Sequence, residues 1–154
     1  MKFLDLLNPG AIKVIAAASS KKRLLHEMAD VAAGAYNLDP ALVVEALMER
    51  ESLGPTGVGH GVALPHARLD GLDEVAGVFI LLEKPIDFDA VDRQPVDLVF
   101  GLFAPREAGV AHLKALALVS RNLREATLCA KLRANPDAAT LHTILTESEA
   151  VQAA

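Results

Sequence analysis

The sequence predicts an α/β fold, with helices packed on both faces of a mixed β-sheet of four or five strands. Three observations lead there. Two continuous apolar runs, residues 75–82 and 96–103, read as strands covered on both faces rather than strands with one wet side. About five segments place apolar residues at helical spacing, and they interleave with the strands. The 154 residues, 52% of them hydrophobic, suit one domain with a core over about 11–147 and a short tail at each end.

Taken in order, residues 11–18, AIKVIAAA, suggest a short strand. Ser19 or Ser20 caps a helix whose apolar face is Leu24, Leu25, Met28, Val31 and Ala32, and Asn37 ends it. Asp39-Pro40 opens the next helix with a cap and a first-turn proline; Gly54-Pro55 stops it just beyond Arg50-Glu51. A glycine-rich turn then leads into a short strand over 61–64. Pro85 closes the strand at 75–82, FDAVDRQP turns the chain, and Pro105 stops the strand at 96–103. Helices follow over about 110–123, 127–133 and 137–145, and the tail ESEAVQAA is expected to fray.

Composition excludes several classes. A net charge of −5 argues against a general nucleic-acid surface. The single cysteine, Cys129, cannot form an internal disulfide, which suits a reducing cytoplasm, and its apolar helix face makes it a core residue. Asp5 and Pro9-Gly10 interrupt the N-terminal apolar stretch, so no secretory signal is expected. The longest apolar runs fall short of the ~20 residues a membrane helix needs. A cytoplasmic protein with no membrane insertion is expected.

Chemistry concentrates in GVGHGVALPHARLDG, residues 57–71. A nucleotide loop fails on specifics: no Lys-Ser or Lys-Thr follows the glycines, and the third glycine of a dinucleotide fingerprint is replaced by Val62 or Leu64. A metal site from His60, His66, His112 and Asp70 lacks any ligand spacing that metal sites favour. The plainest alternative is a tight turn with His66 merely at a strand end. Pro65 argues for more, because it cannot donate a ladder hydrogen bond and holds His66 on a stiff backbone at a strand terminus. Arg68 places a cation beside it.

A rigid, displayed imidazole beside a guanidinium suits phosphoryl transfer to nitrogen. A neutral imidazole offers one lone pair while a backbone carbonyl anchors its other N–H. Loop N–H groups and a cation stabilise phosphoryl oxygens, and the transfer relies chiefly on positioning and charge. His112 sits just inside a helix start, where it could add a hydrogen bond to a phosphate; position alone favours an ordinary first-turn polar residue.

At this point the motifs themselves are informative. RESLGPTGVGHGVALPHARLDG, with VFILLEKPIDFDAVDRQPVDLVFGLFAP and AHLKALALVSRNLREATLCAKLRA, resembles the type-2 enzyme IIA domains of the bacterial phosphotransferase system, the mannitol/fructose class. The similarity spans about residues 20–145 and is greatest to the family's nitrogen-related form. It implies a sheet of about five strands flanked by helices, His66 as phosphoryl acceptor, His112 as second active-site histidine, and Arg50 in the phosphoryl pocket. Thr56, Gly57 and Arg68 become candidates to touch the phosphoryl group. The resemblance calls for neither cofactor nor metal. Two departures stand out: Pro55 replaces a frequent small polar residue, and Arg68 replaces a common lysine. His60 falls at a variable motif position and reads as a solvated loop residue, while His26 and His142 read as ordinary helix residues.

The resemblance also implies partners. The donor would be an HPr-like phosphocarrier of the nitrogen branch, supplied by phosphoenolpyruvate through an enzyme I. Regulated targets, such as potassium-transport or sensor-kinase components, would read the phosphorylation state, with Val58, Val62 and Leu64 as a docking rim. The alternative is a fructose/mannitol-type IIA component that passes phosphate to a IIB domain during sugar uptake.

Overall fold

A computed structural model of the protein describes the backbone of residues 1–153 and the side chains of residues 1–147. The chain opens with α1 (Phe3–Leu6) and a 3-10 turn at Pro9–Ala11, then β1 (Ile12–Ile15). Phe3, Leu6 and Leu7 are buried, so the core begins well before residue 11 and the expected N-terminal tail is part of it. The alanines after Ile15 lie beyond β1, which is shorter than the predicted strand.

Two helices follow. In α2 (Lys21–Tyr36), the Ser20 hydroxyl accepts the amide of Arg23 at 3.1 Å, and Asn37 ends the helix in the left-handed region at φ 55. In α3 (Pro40–Ser52), the Asp39 carboxylate accepts the amide of Ala41 at 3.0 Å, and Pro40 loses nothing by lacking an N–H in the first turn.

The glycine-rich stretch forms three short strands where one was expected: β2 (Gly57–Gly59), β3 (Val62–Ala63) and β4 (His66–Leu69). Pro65 explains the division. It has no N–H for the ladder, yet its carbonyl accepts the amide of Leu102 at 2.9 Å, so the chain stays alongside its neighbour and pairing resumes at His66. The sheet therefore has six strands, one more than expected.

Its centre is β5 (Ala76–Ile86) paired antiparallel with β6 (Val96–Pro105). The order is β1-β5-β6-β3-β2, with β1 parallel to β5, both β3 and β4 parallel to β6, and β2 antiparallel to β3. Pro85 does not close β5. The register shifts between Leu81 and Ile86, and this irregularity spares the proline a ladder bond. The loop after β5 buries Phe88 and Ala90 instead of lying on the surface as a simple turn.

Helices cover both faces, as expected. Phe100 packs its ring 5.7 Å from Phe3 of α1, whereas its neighbour Gly101 faces Met28 of α2, on the opposite side of the pleat. Side chains such as Phe79, Phe100 and Phe103 are fully buried, each contributing about 1.5–3 kcal/mol of apolar transfer. The last helices are α4 (Gly109–Leu123), α5 (Ala126–Arg133) and α6 (Ala138–Ala153). The tail expected to fray is carried in α6 as far as Ala153; Ala154 lies outside the described residues.

Candidate functional site at the β4 edge

Among the described strands β4 pairs only with β6, so one of its sides is open. His66 begins it, half-buried, and Arg68 lies on the same face two residues on, while Ala67 and Leu69 point into the core. The last turn of α3 brings Arg50 to this edge and the first turns of α4 bring His112. His66, His112, Arg50, Arg68, Leu53 and Arg106 line one open cavity.

The hydrogen bonds around His66 assign its proton. Nδ1 stands 2.9 Å from the carbonyl oxygen of Leu64. A carbonyl only accepts, so Nδ1 carries the hydrogen and Nε2 carries the lone pair. Arg50 Nε donates to that Nε2 at 3.2 Å, while its Nη1 donates to the carbonyl of Gly54 at 2.9 Å. The backbone carbonyl anticipated from sequence is thus present, supplied by Leu64 immediately before the proline.

The ring of His112 lies 5.6 Å from that of His66, centroid to centroid. His112 is buried and its Nδ1 has no hydrogen-bond partner among the described residues, which leaves Nε2 as the nitrogen able to serve the cavity. Burial, helped by the neighbouring Arg68 guanidinium, holds this imidazole below its ordinary pKa and so keeps it neutral.

Thr56 and Gly57 lie elsewhere. Thr56 is buried and gives both its hydroxyl and its amide to Glu51, and neither residue lines the cavity. Gly57 is glycine because the backbone of the loop after β5 presses against it: a Cβ there would sit 2.8 Å from that of Ala90. The expected docking rim also moves. Val62 and Leu64 are buried in the core, and only Val58 of that set is exposed. The apolar rim of the cavity is Leu53 with Leu113, which are 81% and 64% exposed.

His60 is exposed, as expected of a loop residue, but its backbone is held. Its amide donates to Asp92 at 3.0 Å and its carbonyl accepts from Arg133 at 2.9 Å. Arg133 is paired in turn with Asp97. His142 uses Nε2 to meet the carbonyl of Leu7 at 3.0 Å, an interaction that secures the N-terminal segment. Cys129 is buried, and burial pushes its thiol pKa up. Among the described residues no three His, Cys, Asp or Glu side chains gather as a metal site requires.

Sequence reasoning missed Arg106 and Glu51. Arg106 lines the cavity with its guanidinium on Asp70 at 2.7 Å, and its carbonyl accepts from Arg68. No pattern marks it. Glu51 had a signal, since it stands beside Arg50 in the R-E motif.

The result is a mixed sheet that displays an oriented imidazole at an open edge, between an arginine and a second histidine. The chain belongs to the EIIA 2 family of the phosphoenolpyruvate-dependent sugar phosphotransferase system, whose model matches residues 5–148. Within that family its relatives include nitrogen regulatory proteins. It is 46% identical over 145 residues to the nitrogen regulatory protein of Bradyrhizobium diazoefficiens, covering 94% of this chain and 95% of that one. It is 41% identical over 151 residues to the nitrogen regulatory protein of Escherichia coli, covering 97% of this chain and 92% of the other. The crystal structure of nitrogen regulatory protein IIA-Ntr from Neisseria meningitidis superimposes with a TM-score of 0.85 at 35% identity, covering 92% of this chain and 97% of that one. No described helix is long and apolar enough to cross a membrane.

Proposed function

We propose that this chain is a cytoplasmic phosphohistidine carrier of the nitrogen-related phosphotransferase system, a single domain that accepts a phosphoryl group on His66 Nε2 from an HPr-like protein. The observation that carries this reading is the Nδ1–H···O=C bond to Leu64, which leaves the lone pair on Nε2, where Arg50 Nε meets it. In the transfer, that lone pair forms the new N–P bond. The electron pair of the old P–N bond returns to the donor's imidazole, and the His66 Nδ1 proton stays in place. Arg50 leaves Nε2 and turns its N–H groups to the phosphoryl oxygens; His112 and Arg68 offer further donors and charge.

Such a group adds about −1.5 to −2 charges, by analogy with other phosphorylated side chains. Placed inside the rim of Leu53 and Leu113, that change alters which surfaces dock, and target proteins read it. The names of the relatives favour regulation over sugar uptake. The chain turns over no small molecule itself in this reading. The test is labelling from phosphoenolpyruvate through an enzyme I and the HPr-like carrier, wild type against His66→Ala. Loss of label is expected, and retained label in the variant overturns the assignment. Pull-downs with each phosphorylation state then distinguish a regulator from a component that hands its phosphate to a IIB domain.

A further inference from the structure

Behind the cavity lies a second set of polar groups that the transfer step does not touch. Glu51 follows Arg50 in the last turn of α3, and its carboxylate is only 6% exposed. It pairs with Lys21 Nζ at 2.7 Å. Lys21, at the start of α2, also donates to the carbonyl of Phe88 at 3.2 Å and lies 4.5 Å over that ring. The other partner of Glu51 is Thr56, through the hydroxyl and through the amide at 3.3 Å. A buried carboxylate left unpaired is costly, so these contacts hold three separate segments in one arrangement.

On one side the set connects to His66 through two backbone carbonyls. The carbonyl of Thr56 accepts the amide of Leu64 at 2.9 Å, and the carbonyl of Leu64 accepts Nδ1–H of His66 at 2.9 Å. Each group is oriented by the one behind it. The ring then closes, because Arg50, next to Glu51 in the chain, reaches His66 Nε2. We infer that Glu51, with Lys21 and Thr56, is a positioning residue for His66: it fixes the Leu64 carbonyl that keeps the proton on Nδ1 and the nucleophilic lone pair on Nε2. This rests on the reading of His66 as acceptor, but the tautomer can be measured without any transfer.

The test uses the full chain. Arg50 also favours the lone pair on Nε2, so the ring is examined both in otherwise wild-type protein and with Arg50→Ala. Nitrogen-proton correlation spectra of the neutral His66 ring report which nitrogen bears hydrogen. The variants are Thr56→Val, Thr56→Ser as the conservative rescue, and Glu51→Gln combined with Lys21→Met so that no lone charge is left behind. In the Arg50→Ala background, Thr56→Val and the double variant are expected to populate the Nε2–H form, and Thr56→Ser to restore Nδ1–H. With Arg50 present, labelling slows about ten-fold, the low end for losing a group that orients a reactive ligand, and Thr56→Ser recovers it. If the variants fold with an unchanged tautomer and label at the wild-type rate per folded molecule, the inference is overturned, even if they melt earlier. Label persisting in His66→Ala would instead remove the reading of His66, leaving the tautomer result standing.

Discussion

Arg50 Nε stands 3.2 Å from His66 Nε2, the nitrogen that the Leu64 carbonyl leaves unprotonated. The guanidinium thus occupies the position an incoming phosphoryl group must take. Its second contact, Nη1 to the carbonyl of Gly54, keeps it at hand when it gives way. Lysine keeps the charge but lacks the planar fork that directs separate N–H groups of one guanidinium at His66 and at Gly54. Replacing Arg50 by alanine is expected to slow labelling of His66 about 100-fold, the range for losing one donor to a developing charge. Arg50→Lys should recover part of that loss. Initial rates of labelling from the phosphorylated donor check both, and wild-type rates in Arg50→Ala would remove this role.

His112 makes stability pH-dependent in a definite direction. Burial first, then the charge of Arg68 beside it, holds its pKa below the ordinary 6.5. The unfolded chain therefore takes up a proton at a pH where the folded ring still refuses it. The contribution of the neutral ring is fully present above 6.5, and it is lost as the pH falls through 6.5 and then through the lower folded value. The wild-type melting temperature should fall more steeply on acidification than that of His112→Gln. Parallel curves would contradict the assignment.

Gly61 allows the β2–β3 turn to close under Arg133. Its φ is +79°, and a Cβ would lie 2.5 Å from Arg133 Nη2 and 2.9 Å from Asp97 Oδ1. Gly61→Ala both strains the backbone and pushes apart an ion pair. Urea unfolding should show a loss of about 1–3 kcal/mol.

Tyr36 ties the N-terminal segment to the sheet. Its hydroxyl shares one proton between the carbonyls of Leu6 at 3.0 Å and Gly77 at 2.7 Å, and accepts the amide of Asn8 at 3.0 Å. Tyr36→Phe leaves all three backbone groups short of a partner. The expected cost is about 1–3 kcal/mol in chemical unfolding, with phosphotransfer intact because Tyr36 is outside the cavity.

The sequence by itself determined the α/β class, the helices with their caps at Ser20 and Asp39, and the two central strands. It also singled out His66, because Pro65 and the surrounding glycines are local signals with local physical meaning. Resemblance, rather than pattern, supplied Arg50 and the role of His112. Only the tertiary structure decided the rest. Pro65 divides a strand without ending its pairing because the carbonyl beside it still finds Leu102, a fact of register that no local pattern encodes. Val62 and Leu64 are core rather than rim because β3 and the residues after it lie against β6, while Leu53 and Leu113, from two helices far apart in the chain, form the rim instead. Thr56 serves Glu51 rather than the cavity because Lys21, on another helix, completes the pair. Short-range patterning sets what each segment becomes; which side chains meet is set by long-range packing, where burial and paired polar groups outweigh local preference.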